Sequence, residues 1–277
     1  MKTLLVALAL LAPAAPKPVT EQAQQGQVRA ELSYVFDEAT ENFDERFTRL
    51  HVRITRADVQ LVDADLKPLC STCSMWPAGG GDPSTPSLSV EDLDADGEPE
   101  VLVDLYTGGA HCCEYTLFYR YADAAYARLA HSWGNPGYRV RDFNRDRRPE
   151  LVTGDDRFNY AFSCYACSAV PVRILHYQGG RLVNVTRSFR AQIRADAART
   201  WRDYHRAVKQ HLTPAGLLPA YLADQYLLGQ RKAGWARVRA AVARRDWPKV
   251  VVEPQWKNRA RYLAALKRFL VKTGYGG

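Results

Sequence analysis

The chain has 277 residues, 47% hydrophobic and 25% charged, with six Trp and fifteen Tyr, a balance that excludes a disordered or low-complexity polypeptide and gives room for one large domain or two modest ones. Its formal charge of +8 is unevenly placed: from Arg187 onward 20 Lys and Arg face 5 Asp and Glu, while residues 1–186 carry 18 against 25. A basic half on an acidic half predicts two surfaces of different character.

The N-terminus has Lys2 before an apolar run from Leu4 to Ala12, then Ala12-Pro13-Ala14. This is the pattern of a secretory signal over residues 1–14, too short to span a bilayer, which takes about 20 apolar residues. No later stretch is apolar for that long, so no transmembrane segment is expected and the mature chain is expected to be secreted or periplasmic. In that setting the basic half points away from nucleic acid. The partners it implies are anionic cell-envelope polymers or a protein.

After a polar leader from Glu21 to Gly26, runs of alternating apolar and β-branched residues predict strands over 32–36, 50–56 and 59–62. Residues 77–86 read as a loop by composition. Further strands are predicted around 101–106, 115–121, 126–131, 151–153 and 170–177, with Gly179-Gly180 as a tight turn. Near Arg187 the period changes, and Ile193, Ala197, Trp201, Tyr204, Val208 and Leu212 recur at helical spacing. Thr213-Pro214 supplies the start signal of a second helix stopped by Gly229. Trp235–Arg245 reads as a third, and Trp256 to Leu270 marks a fourth ended by Gly274. The expected fold is α+β: a mostly antiparallel β region over 28–186 and a basic helical region over 187–277. Arg190, Arg194, Arg199, Arg202, Arg206 and Lys209 flank the first helix's apolar stripe, and Lys257, Arg261, Lys267, Arg268 and Lys272 flank the last. These read either as a solvated face or as a surface for an anionic partner.

Within the β region, residues 88–102 align without a gap on residues 138–152, offset by 50. Leu88, Val90, Leu93 and Val101 match Tyr138, Val140, Phe143 and Leu151, and Pro99 matches Pro149. Between two strands each copy places oxygen side chains at loop positions 1, 3, 5 and 9: Asp92, Asp94, Asp96 and Glu100, then Asp142, Asn144, Asp146 and Glu150. Glu98 and Arg148 stand where a backbone carbonyl would complete the set. Calcium takes about six to eight oxygens at about 2.3–2.6 Å, and alternate residues of a curled loop can converge on one point. The reading is one or two calcium ions. The first loop is expected to be the tighter site, because the second has Arg147 where the first has Gly97, and Asn144 where the first has Asp94.

DLDADGEPE resembles the calcium loops of FG-GAP or VCBS repeats, found in integrin α-chain propellers and many bacterial secreted proteins. The resemblance covers 86–106 and 136–156. It implies blades of a propeller-like sheet serving adhesion, ligand display or structural support. At this spacing 28–186 holds about three such units, fewer than the roughly four to eight blades of closed propellers, so the expected arrangement is partial.

The six cysteines, Cys70, Cys73, Cys112, Cys113, Cys164 and Cys167, all lie before residue 187. In an exported chain an even count favours disulfides. Bridges from the Cys112-Cys113 pair to Cys70 or Cys73 are the easier expectation, with Cys164 joined to Cys167 or to the same cluster. His111 beside two cysteines leaves a metal site, a thiol nucleophile or a redox centre open, and the paired C-x-x-C spacings suit a zinc shell. Phosphate-binding, metalloprotease and serine-hydrolase motifs are absent from the sequence. Asp155-Asp156, and Asp104 with Glu114, read either as paired carboxylates or as solvated turns. The expectation is a non-enzymatic calcium-binding structural or interaction module. The alternative is an exported hydrolytic or thiol-redox enzyme centred on His111, Cys112 and Cys113.

Overall fold

The computed structural model describes residues 15–42, 45–71, 73–108 and 113–276. The leader signal expected over 1–14, and His111 and Cys112, lie outside the described residues. The architecture is α+β, with antiparallel sheets first and helices second.

The first sheet is a meander in the order β1 (Lys17–Gln25), β2 (Val28–Phe36), β3 (Phe47–Arg56), β4 (Val59–Asp65). Alternation in β2 and β3 buries Val28, Ala30, Leu32, Val52 and Ile54 on one face. The expected polar leader is instead β1. It pairs with β2 along its whole length, from Lys17 against Phe36 to Gln25 against Val28. Its polar residues and Pro18 are tolerated because an edge strand has one side with no ladder to fill.

The second sheet orders β5 (Trp76–Pro77), β7 (Glu100–Tyr106), β8 (Glu114–Ala122) and β9 (Ala125–Gly134), with β6 (Leu88–Glu91) also paired to β7. The third orders β10 (Arg139–Arg141), β11 (Glu150–Gly154), β12 (Val172–Gln178) and β13 (Arg181–Asn184). Gly179 and Gly180 both have positive φ, 53° and 79°, as the β12–β13 hairpin requires. The strands therefore fall into three sheets, and no closed propeller forms among the described residues.

Five helices follow: α1 (Arg190–Lys209), α2 (Leu218–Leu227), α3 (Arg231–Ala243), the short α4 (Trp247–Val250) and α5 (Arg259–Lys272). The α1 stripe buries Ile193, Ala197, Thr200, Tyr204 and Ala207, whereas Leu212 beyond it is 57% exposed. The second helix starts later than Thr213-Pro214 signals. Thr213 does not cap it; its hydroxyl donates to Glu253 at 3.0 Å, and the first-turn proline is Pro219. Gly229 and Gly274, both at positive φ, end α2 and α5. No helix among the described residues is long and apolar enough to cross a membrane.

The described residues form two compact units. One comprises residues up to 91 with 99–108 and 115–130; the other comprises 92–98, 113–114 and 131–276. The first is filled by Leu32, Val52, Ile54, Val101, Val103 and Tyr115 among others. The second closes the helices on Phe158, Phe162, Tyr221, Trp247, Tyr262 and Leu266.

The cysteines pair locally. Cys70 bridges Cys73 and Cys164 bridges Cys167, with Cα atoms 5.1 and 5.0 Å apart. This corrects the expectation that Cys70 or Cys73 takes bridges from the Cys112-Cys113 pair: a turn with Cys73 N–H donating to the Cys70 carbonyl already closes that loop. Cys113 is also disulfide-bonded, and its partner lies outside the described residues.

Candidate metal centre

The two Asp-rich loops have the same local backbone. Each joins a strand pair closed at the same register, Glu91 against Glu100 in the first and Arg141 against Glu150 in the second. In each, the residues at loop positions 4 and 6 have positive φ: Ala95 and Gly97 at 58° and 89°, Arg145 and Arg147 at 62° and 69°. The aspartates at positions 1 and 5 hold this curl from within. Asp92 Oδ2 accepts from Gly97 N at 3.0 Å and Asp96 Oδ1 from Glu98 N at 2.9 Å. The equivalent bonds in the second loop run from Arg147 N to Asp142 Oδ2 at 3.1 Å and from Arg148 N to Asp146 Oδ1 at 2.8 Å. Short polar side chains that accept from backbone N–H two to five residues on favour such a turn over a regular ladder.

The loops differ in what their carboxylates do next. In the first, Asp92, Asp94 and Glu100 each present an oxygen within 4.8 Å of the others. The turn itself gathers them, because Glu91 and Glu100 are a ladder pair and the chain between them must double back. Asp94 is 7% exposed and Glu100 1%. Asp94 Oδ2 accepts from Gly179 N at 3.0 Å, while Asp94 Oδ1 is buried with no hydrogen-bond partner. A buried carboxylate oxygen left in that state is costly, and a hard cation satisfies it. Asp96 is exposed and Glu98 half-buried, and neither belongs to the convergent group.

In the second loop Asp142, Asn144, Asp146 and Arg148 are exposed, and only Glu150 is buried. Glu150 is engaged already: Oε2 accepts from Phe143 N at 2.8 Å and Oε1 lies 3.0 Å from His176 Nε2. Asn144 Nδ2 donates to Asp146 Oδ2 at 2.8 Å. The hydrogen bond from Arg148 N, with smaller help from Asn144, His176 and Arg148, holds the Asp146 carboxyl below its usual range. Among the described residues this loop gathers no group of three carboxylates. Arg148 reaches across to the first loop, its Nε donating to the Asp94 carbonyl at 2.9 Å.

The groups that brace the first loop lie far from it in sequence. Arg148 and Gly179 come from 54 and 85 residues away, and no local pattern signals them. Asp155 is also corrected: it is not a solvated turn but 1% exposed. It accepts from Arg157 Nε at 2.8 Å and Nη2 at 2.5 Å, and from Tyr275 Oη at 3.1 Å. Burial alone would raise its carboxyl; the hydrogen bonds and charge of Arg157, with Arg173 and Tyr275, outweigh that and hold it below the ordinary range.

Residues 193–274 match the family described as the sll0997 C-terminal domain. The chain is similar to the probable thylakoid lumen protein sll0997 of Synechocystis sp., 33% identical over 204 residues that are 68% of this chain and 60% of that protein. It is also similar to the uncharacterized protein y4bJ of Sinorhizobium fredii, 26% identical over 193 residues, 65% of this chain and 30% of that protein. The chain thus spans less than two thirds of either relative. No solved structure matches it.

These matches overturn the FG-GAP/VCBS resemblance: the family that matches is the sll0997 C-terminal domain, over the helical half, and the Synechocystis relative is described as a probable thylakoid lumen protein. In this chain DLDADGEPE forms a hairpin turn whose curl Asp92 and Asp96 hold by local hydrogen bonds.

Proposed function

We propose that this protein works in an exported, lumen-like compartment as a calcium-ordered structural or interaction module, without catalysis of its own. The observation that carries this reading is the convergence of Asp92, Asp94 and Glu100 within 4.8 Å around a buried Asp94 oxygen that has no hydrogen-bond partner. Those three side chains would hold the ion, and the ion would supply the charge compensation that lets the turn pack tightly. The Asp142–Glu150 loop would be the weaker site or none, since His176 and Phe143 N already engage Glu150.

The compartment follows from three supports: the N-terminal apolar run, the disulfides, and the lumen named for the Synechocystis relative. Disulfides persist in oxidising compartments outside the cytoplasm. The thiol-enzyme alternative loses ground because Cys113 is disulfide-bonded, and an oxidised sulfur is no nucleophile.

The partner reading rests on a groove of about 460 Å³ between α3 and α5, lined by Arg231, Lys232, Arg239 and Lys267 around Trp235 and Leu263, with no acidic residue in its lining. Its chemistry suits an anionic polymer or an anionic protein surface. Binding of dextran sulfate to the full chain is expected to weaken as salt rises and to fall on Arg239→Gln with Lys267→Gln. Binding unchanged by salt and by both substitutions would remove this part of the proposal. For the calcium part, the test is a rise in Tm when calcium is added to the chelated protein; a flat Tm would remove it.

A further inference from the structure

A separate cavity of about 330 Å³ opens where β12, the turn after β13, the end of α2 and the chain after α5 come together. Three arginines line it, Arg157, Arg173 and Arg187, against one carboxylate, Asp155. That carboxylate is spent. It takes both Nε and Nη2 of Arg157, whose Nη2 also donates to the Thr273 carbonyl at 3.1 Å. The Asp155–Arg157 pair is therefore a strut that fixes the wall and neutralises itself.

Arg173 adds its charge to the field at Asp155 without touching it, and Arg187 stands beyond that pair. Neither makes an ion pair or a side-chain hydrogen bond among the described residues. Arg173 is half-buried on β12, where a guanidinium without an acceptor is expensive. It faces a second hollow of about 230 Å³ as well, beside His131 and Trp133. The Arg173 charge is felt there: burial first, and then Arg173, lowers the His131 pKa. Val172, Val185 and Leu227 add apolar surface to the first cavity's lining. Its volume falls in the range of small-ligand sites, roughly 300–1,000 Å³.

We propose that this cavity binds a small organic oxyanion, a carboxylate or phosphate carried on an apolar body, with Arg173 and Arg187 pairing the anionic head. A guanidinium presents its N–H donors in a fork that matches carboxylate and phosphate oxygens two at a time. The net formal charge of the lining, +2, selects against cations, and the Val and Leu wall selects against bare hydrated ions. The site lies outside the carboxylate loop and uses none of its residues.

The experiment titrates four probes into the full chain by calorimetry, in chelator and again in calcium: benzoate, phenyl phosphate, inorganic phosphate, and benzamide as the uncharged isostere of benzoate. Benzoate or phenyl phosphate is expected to bind at least tenfold tighter than benzamide and than inorganic phosphate; which of the two wins identifies the head group. Arg173→Gln is expected to weaken the better probe at least tenfold. Arg181→Gln, on an exposed arginine of β13 outside the lining, is expected to leave it unchanged. The Tm of each variant without probe checks that it is folded. Benzamide binding as well as benzoate, Arg173→Gln without effect in a folded protein, or no probe binding at all would each overturn the proposal. None of these outcomes depends on whether the carboxylate loop takes calcium.

Discussion

Asp94→Asn separates a metal site from an acidic turn by the sign of its effect. Asn keeps a carbonyl oxygen to accept from Gly179 N, which Asp94 Oδ2 now does at 3.0 Å, so the substitution removes charge with little loss of hydrogen bonding. In chelator, Asp94 stands within 4.8 Å of both Asp92 and Glu100. Each like-charge pair at that distance costs between about 1 kcal/mol in water and about 3.5 kcal/mol at an effective dielectric constant of 20. Taken at the solvated end of that range, relief of the two pairs should stabilise the chelated variant by about 2 kcal/mol. With calcium about 100-fold above its Kd, wild type gains about 2.7 kcal/mol, a rise in Tm of roughly 5–11 °C for a chain of this size. The variant, missing one of three convergent ligands, should gain far less. Thermal unfolding followed by circular dichroism in chelator and in millimolar calcium should show the two proteins exchange rank: Asp94→Asn more stable without calcium, wild type more stable with it. An equal loss of Tm in both conditions would make Asp94 a hydrogen-bonding residue of an ordinary turn, and the reasoning would fail.

The paired loops give a second test through their positive-φ residues. Arg147 holds φ at 69° where Gly97 sits at 89°, and a non-glycine residue pays about 1–2 kcal/mol there. Arg147→Gly should stabilise the protein by about 1 kcal/mol in urea denaturation. Gly97→Ala should cost about as much, although its new Cβ meets no atom within 4 Å, because the cost is conformational. Asp224, 0% exposed on α2, has its carboxyl pushed well above the ordinary range by burial and then by Asp196, with Arg199 opposing. The folded chain therefore keeps a proton that the unfolded chain releases near pH 4, and stability falls as pH rises above that value. Asp224→Asn should then raise stability at pH 7, with the gain fading toward pH 4; a gain independent of pH would refute the assignment. Cys164→Ser with Cys167→Ser opens a loop of sequence separation 3, for which chain entropy gives about 2 kcal/mol. The same unfolding assay under oxidising conditions should show that loss.

The change from strand to helical periodicity near Arg187 was readable because both halves bury one face at a regular period. The Gly179-Gly180 turn and the stops at Gly229 and Gly274 were readable because glycine at positive φ has few other uses. The edge strand β1 was not, since its partner supplies the ladder and its own residues carry almost no apolar signal. The start of α2 was misread because Thr213 is claimed by Glu253, 40 residues later. Spacing pointed equally to oxygen side chains at 92, 94, 96 and 100 and at their counterparts in the second loop; that 92, 94 and 100 converge while Asp96 stands apart is a property of the folded turn. The bracing by Arg148 and Gly179 was not legible, and neither was the burial of Asp155, which depends on Arg157 and on Tyr275, 120 residues away. The family resemblance misled because it rested on a nine-residue turn, and Asp side chains favour such a turn through local hydrogen bonds alone.

The most direct measurement is a calorimetric titration of calcium into the chelated full chain, with Glu100→Gln and Asp142→Asn beside it. A calcium-holding first loop gives a saturable site in wild type that Glu100→Gln abolishes or weakens at least tenfold and Asp142→Asn leaves in place. No heat in wild type, or a site lost with Asp142→Asn and kept with Glu100→Gln, would contradict it.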